Sequence, residues 1–241
     1  MDQPASPHPG PHPGLHPAPE TDPAPGDVAR ARSERGEVAL RRREDGALEL
    51  RVNGVFVMDT LETTSERLLA EAALAACERP ERVLVGGLGL GFTARAVLAD
   101  DRVRRLDVVE IEPAVVAWMR DGTVPHGPAY LADERLRVVE ADVAVALADA
   151  ADGAYDLVLL DVDNGPDNLV HAPNAALYTP PLLAGVRRVL APGGTVAVWS
   201  ATHSPALERA LADVLGASTT HEVAVPGHGR VGSYWLHSAR R

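Results

Sequence analysis

One short run limits the architecture more than any other: Val83-Leu84-Val85-Gly86-Gly87-Leu88-Gly89-Leu90-Gly91. Consecutive apolar residues that run straight into alternating glycines read as a buried strand ending in a sharp turn. A helical pattern follows over Phe92–Ala99. Glycine admits positive φ and lets a ligand approach the backbone, and a helix start offers unpaired amides. The same alternation continues along the chain, with strands expected at Arg82–Val85, Leu106–Glu110, Leu136–Glu140, Tyr155–Asp161 and Thr195–Trp199. A helix near Pro205–Leu215 and strands at Thr219–Val225 and Val231–Leu236 close the pattern. Short apolar runs separated by helices predict an α/β, doubly wound, mostly parallel seven-stranded sheet.

Ahead of it, Leu48–Val52 alternates apolar and polar residues, Asn53-Gly54 is a hairpin turn signal, and Val55–Met58 is apolar again. This predicts a small N-terminal β-hairpin appendage over residues 31–62, with the α/β domain over 63–241. Thr63 and Glu66 have capping-box spacing, and Leu68, Leu69, Ala72, Ala73 and Ala76 are expected on the apolar face of the first helix. Residues 1–30 form the remaining unit. Nine of the 20 prolines and His8, His12 and His16 fall within residues 1–26. Proline at alternate positions removes amide donors, so a disordered Pro/His/Gly-rich tail is expected rather than a metal-binding one.

Composition excludes several chemistries. All 23 basic residues are arginine, so the chain has neither a Walker lysine nor a lysine for a Schiff base. A single cysteine, Cys77, permits no intrachain disulfide or thiolate metal cage, and it reads as a small buried hydrophobe. The formal charge of −11 argues against nucleic acid, whose binding rests on basic surface, and suits a cationic ligand. No apolar run reaches membrane-spanning length and no secretory signal opens the chain, so the cytoplasm is the expected compartment, without membrane or metal.

The glycine turn has an acidic partner. Glu110 ends the next strand, where a carboxylate can accept both hydroxyls of a ribose. Gly87, Gly89 and Gly91 form GxGxG, whereas a dinucleotide fingerprint would need glycine at Phe92; this favours a nucleoside without pyrophosphate. Asp142 follows the third strand and is either a helix N-cap or a reader of the adenine amino group. Asp161 ends the fourth strand, at the edge where open α/β sheets bind ligands. Asp163 and Asp167 lie in a stretch of Asp, Asn, Gly and Pro that reads equally well as a polar turn.

Gly86–Gly91, Glu110-Ile111-Glu112, Glu140-Ala141-Asp142 and the run Tyr155–Asp161 together resemble the spermidine synthase family, from about Glu37 to about Trp199 and including Leu177-Tyr178-Thr179. The resemblance implies the class I methyltransferase-like Rossmann fold and, as group donor, S-adenosylmethionine or its decarboxylated form. It implies a nucleoside site built from Gly86, Gly87, Gly89, Gly91, Glu110, Ile111, Asp142 and Val143, with Asp161 as the catalytic aspartate facing an attacking amine. Asp163, Asn164, Tyr178 and Glu71 would then bind the small-molecule acceptor. Asn164 stands where the family has its second aspartate. Matching Glu71 to the family's helix glutamate leaves Leu69 and Ala70 at a Tyr-His pair. The activity implied is aminopropyl transfer to a cationic amine, and a homodimer is compatible with it. A small-molecule methyltransferase and a non-catalytic nucleoside-binding relative remain open, because a fold does not choose among them.

Overall fold

The computed structural model describes residues 26–162, 165–167, 169, 172–227 and 230–241. Residues 1–25 of the expected Pro/His/Gly tail, Asp163 and Asn164 lie outside them. The front of the chain is larger than a hairpin. Strands β1 (Asp27–Ser33), β2 (Gly36–Arg42), β3 (Leu48–Val52) and β4 (Val55–Asp59) form a four-stranded antiparallel sheet in sequential order. β1 crosses the expected boundary at residue 30. Its Asp-Val-Ala-Arg-Ala-Arg-Ser sequence is too weakly apolar to stand out, and ion pairs hold it in place: Arg30 to Asp27 at 2.5 Å, Arg41 to Asp27 at 3.0 Å, and Arg30 to Glu37. Asn53 and Gly54 both take positive φ, 52° and 78°, and close the β3–β4 hairpin as their sequence predicts.

Helix α1 (Thr64–Ala76) leads into the second sheet, and its orientation corrects the expected one. Thr63 makes no side-chain cap bond, and Glu66 turns inward. The buried face is Glu66, Leu69, Ala70, Ala73 and Leu74, so Leu68, Ala72 and Ala76 lie off the centre of the stripe. That set keeps the three-and-four spacing of a helix packed along one side.

Then follow β5 (Arg82–Gly86), α2 (Phe92–Leu98), β6 (Arg105–Glu110), α3 (Pro113–Asp121), α4 (Gly127–Leu131), β7 (Leu136–Glu140), α5 (Val143–Asp149) and β8 (Tyr155–Leu160). A 3-10 turn (Ala172–Tyr178), α6 (Pro180–Val189), β9 (Leu190–Ser200), α7 (Pro205–Leu215), β10 (Ser218–Gly227) and β11 (Arg230–Arg240) complete the chain. The sheet order is β10-β11-β9-β8-β5-β6-β7. β5 to β9 pair in parallel, while β10 and β11 add antiparallel. Because β5 lies between β6 and β8, strand order reverses there, and the crevice of a doubly wound sheet opens at the carboxyl ends of those strands. Among the described residues, no helix is long and apolar enough to cross a membrane. Cys77 is buried in the core, its thiol donating to the Asp156 carbonyl.

The small sheet packs into the core of the α/β unit, where its Val38, Leu40, Leu48 and Leu50 join Leu88 and Leu90 of the glycine turn and Val115 of α3. A polar clamp adds to it. In the β1–β2 turn, Arg35 Nε donates to Glu112 at 2.7 Å and Nη2 to the Ile111 carbonyl at 2.7 Å, while the Ser33 hydroxyl donates to Glu112 at 3.1 Å. Arg35→Ala leaves the buried Glu112 carboxylate without its cation. A loss of about 1–3 kcal/mol in thermal unfolding and faster amide exchange in β1 and β2 are expected. An unchanged melting curve would show that apolar contacts alone seat the small sheet.

Candidate active site

The glycine turn is bolted between its neighbouring strands. The Asp161 amide donates to the Gly86 carbonyl at 2.9 Å, and the Gly87 amide donates to the Val109 carbonyl at 2.8 Å. Gly87 has φ +96°, and a Cβ there would lie 2.2 Å from the Asp161 carbonyl oxygen. Only glycine permits both the conformation and the approach. Farther along, the Leu90 amide points to Met58 Sδ at 3.2 Å, and the Leu90 carbonyl meets His126 Nε2 at 2.8 Å. The His126 ring packs beside Phe92 and Tyr130. One edge of the turn is thus formed by the small sheet.

Glu110 sits beneath the turn, buried. Its Oε2 accepts from the Leu88 amide at 2.9 Å and its Oε1 from the Glu112 amide at 2.8 Å. Burial raises its pKa, and the backbone donors of Glu112, Leu88 and Gly89 oppose that rise. Each carboxylate oxygen can accept more than one hydrogen bond, so the group both shapes the turn and keeps capacity for ligand hydroxyls. Asp142 is the N-cap of α5, Oδ1 accepting from the Ala144 amide at 2.7 Å, and it also lines the cleft. Ile111 and Val143 line it from the ends of β6 and α5. The cleft has a volume of about 330 Å³, within the range of small-molecule pockets.

Two further carboxyls face this space. Asp161 accepts from the Thr93 hydroxyl at 2.6 Å, and burial pushes its pKa up to about 6. Glu66, 8% exposed, accepts from the Ser65 hydroxyl at 2.7 Å; burial first, and then the Asp161 charge, push it up to about 7. Glu62 and Tyr234 stand on the same side. Burial raises the Tyr234 phenol, with the Glu66 and Glu62 charges adding to it. Arg35 is the one basic residue among the described lining residues, and its guanidinium is engaged by Glu112 and Ile111.

Of the residues singled out by sequence, Gly87, Gly89, Glu110, Ile111, Asp142, Val143 and Asp161 border this cleft, with Gly86 just behind Gly87. Tyr178 does not open onto it. It ends the 3-10 turn as a buried residue, and its hydroxyl donates to the Val162 carbonyl at 2.7 Å, which fastens the chain beyond Asp161. Glu71 does not either, lying exposed near Arg67, Phe92 and Arg95 on another side of α1. On a helix of 3.6 residues per turn, Glu71 is well over a quarter-turn from Glu66, so one of the two must face away. Leu69 and Ala70 are core residues; the residues α1 presents to the cleft are Ser65 and Glu66. Neither was singled out for the site, because Glu66 fits a capping box equally well. Thr93, Met58 and Tyr234 carried no local signal at all. Trp199 lines the cleft beside Tyr234, their rings 5.1 Å apart.

Several known proteins are similar to this chain. A family model described as the spermine/spermidine synthase domain matches residues 62–222. Polyamine aminopropyltransferase 2 of Pseudomonas aeruginosa is 31% identical over 172 residues, covering 68% of this chain and 48% of that protein. Putrescine N-methyltransferase 3 of Nicotiana tabacum is 29% identical over 164 residues, covering 66% of this chain and 40% of that protein. The chain thus spans less than half the length of these relatives. Spermidine synthase in complex with the transition-state analogue AdoDATO has the same fold, with a TM-score of 0.77, 17% identity, and coverage of 89% of this chain and 73% of that one.

The raised carboxyls carry a sign. A carboxyl whose pKa is higher in the folded than in the unfolded state holds an extra proton on folding, so its contribution is present below the unfolded value and lost as pH rises through the folded one. For Glu66 the window runs from 4.5 to about 7, and for Asp161 from 3.8 to about 6. The ligand-free melting temperature of the wild type should therefore fall more steeply between pH 5 and pH 8 than that of Glu66→Gln. Parallel curves would show that Glu66 titrates as a solvated carboxyl.

Proposed function

The chain belongs to the spermine/spermidine synthase family, and on that premise we propose that it transfers an aminopropyl group from decarboxylated S-adenosylmethionine to a small cationic amine. The observation that carries this reading is the charge of the cleft. Glu62, Glu66, Glu110, Glu112, Asp142 and Asp161 line it, and the one arginine among the described lining residues is already paired. Decarboxylated S-adenosylmethionine brings a sulfonium and an ammonium and no carboxylate. The carboxylated nucleoside would set its anion in a half-buried acidic space where unscreened repulsion is strong. The acceptor must likewise be a cation, and the relatives named for polyamine and putrescine chemistry agree with that.

In such a transfer one C–N bond forms as one C–S bond breaks, and the bonding pair leaves on a neutral thioether. The leaving side needs no acid. What the protein must supply is alignment, exclusion of water, and a place for the proton of the acceptor nitrogen. Glu110 and the glycine turn hold the ribose end. Asp161, fixed by Thr93 and by its own amide bond to Gly86, faces the reacting end. A carboxyl poised near pH 6 is a stronger base than an ordinary aspartate while remaining largely ionised at pH 7. Methyl transfer to the same kind of acceptor is the second reading, favoured by the likeness to putrescine N-methyltransferases.

Titration calorimetry with both nucleosides separates the two. Aminopropyl transfer requires tighter binding of the decarboxylated form; preference for S-adenosylmethionine would sink it in favour of methyl transfer. Asp161→Asn keeps size and hydrogen bonding but loses basicity. Turnover of the amine should fall by roughly 10²–10⁴ while nucleoside affinity barely moves. Wild-type turnover in this variant would remove Asp161 from proton transfer.

A further inference from the structure

Resting on the reading of Asp161 as the group that takes the acceptor's proton, we propose that Thr93 is its positioning residue: the Thr93 hydroxyl holds Oδ2 of Asp161 and leaves Oδ1 as the oxygen that receives the proton. The main chain of Asp161 is already fixed. Its amide donates to the Gly86 carbonyl at 2.9 Å, and its carbonyl oxygen lies so close to Gly87 that a Cβ there would come within 2.2 Å. What orients the carboxyl is one bond, 2.6 Å from Thr93 Oγ1 to Oδ2. Among the described residues Oδ1 has no donor of its own, and Asp161 lines the cleft.

Thr93 is suited to this by its place in the chain. It is the second residue of α2, just past the glycine turn, and only 3% exposed. A β-branched side chain has few rotamers in a helix, so the backbone sets the direction of its hydroxyl. Such a hydroxyl commonly donates to a carbonyl one turn back. Here its single proton goes across to the end of β8 instead. That bond favours the ionised form of Asp161, against the burial that pushes its pKa up to about 6. Protonation at Oδ1 leaves the bond intact, whereas protonation at Oδ2 breaks it. During transfer the proton passes from the acceptor nitrogen to Oδ1 as the C–N bond forms and the C–S pair leaves on the thioether. Leu88, whose amide meets Glu110, and Thr93, whose hydroxyl meets Asp161, belong to the same turn and helix start, so one piece of backbone sets both carboxyls.

The other titratable groups of the cleft are Glu62 ahead of α1, Glu66 on α1, Glu110 at the end of β6, Asp142 at the cap of α5, Tyr234 on β11 and the Arg35–Glu112 pair. Glu66 feels the charge of Asp161, so its titration must be separated from that of Asp161.

The test titrates isotope-labelled aspartate carboxyls of the full chain by NMR, with the Asp161 signal assigned from its loss in Asp161→Asn. Thr93→Val keeps the shape and removes the donor, and Thr93→Ser keeps the donor. The Asp161 midpoint should rise by roughly one to two pH units in Thr93→Val, the worth of a hydrogen bond to a charged group, and return to the wild-type value in Thr93→Ser. Thr93→Ala, equally without a donor, should show the same rise. The rise should persist when Glu66→Gln is present in both proteins. In amine turnover the acid limb of kcat/KM should move up with the midpoint, so Thr93→Val should lose roughly tenfold or more at about pH 5 and much less at about pH 8, with nucleoside affinity unchanged. An unmoved midpoint in Thr93→Val and Thr93→Ala, a Thr93→Ser variant that fails to restore it, or an equal loss of turnover at every pH overturns the proposal. The carboxyl titration needs no substrate. An error in the transferred group or the acceptor would appear as a wild type without turnover, while the midpoints still decide the role of Thr93.

Discussion

The contacts of Glu110 organise everything around them. A carboxylate at the end of β6 reaches under the glycine turn and accepts one amide from Leu88 and one from Glu112. It therefore ties the end of one strand to the turn that follows its neighbour. Burying a carboxylate is costly unless hydrogen bonds satisfy it, and here backbone donors do so. The turn gains a defined shape, and Gly87 can then press against the Asp161 carbonyl. The Glu110 side and the Asp161 side of the cleft are joined in this way through backbone, without long side chains.

That backbone frame sets the electrostatics. Carboxyls converge on the cleft from the ends of β6 and β8, from α1 and from the cap of α5, and the one guanidinium among the described lining residues is used to hold the small sheet. Among the described lining residues, no further basic side chain offsets the remaining charge, and hydrogen bonds offset it only in part. Asp161 and Glu66 therefore carry raised pKa values, and a cation entering between them returns both towards ionisation.

The small sheet is part of the site rather than an ornament in front of it. Met58 meets the Leu90 amide, and a Cβ at Gly89 would strike its sulfur at 2.5 Å. Leu50, Val52, Phe56 and Val57 supply an apolar wall opposite the carboxyls. Charges facing an apolar wall are poorly screened, which strengthens their pull on a cationic ligand. Arg35 fixes that wall to the end of β6 next to Glu110, so the seating of the small sheet and the shape of the glycine-turn edge are coupled.

The strand–turn–helix order, the glycine turn, Glu110, Asp142 and Asp161 were all legible in the sequence, because each is written in a few adjacent residues whose chemistry depends on backbone conformation or on the end of a strand. Local pattern could not decide the rotation of α1. Thr63 and Glu66 have the spacing of a cap, and only packing against α2 and the large sheet turns Glu66 into the cleft and Glu71 away from it. Tyr178 likewise sits next to the site in sequence logic, but its hydroxyl is taken by the Val162 carbonyl. The weak alternation of β1 became a strand through ion pairs with residues of its neighbour, which the sequence does not mark as partners. Sequence alone thus determined where a strand would run into a glycine turn with an acid at the end of the neighbouring strand. Tertiary structure decided which carboxyls meet there, because side chains distant in the chain share a cavity only once helix rotation and sheet docking are set.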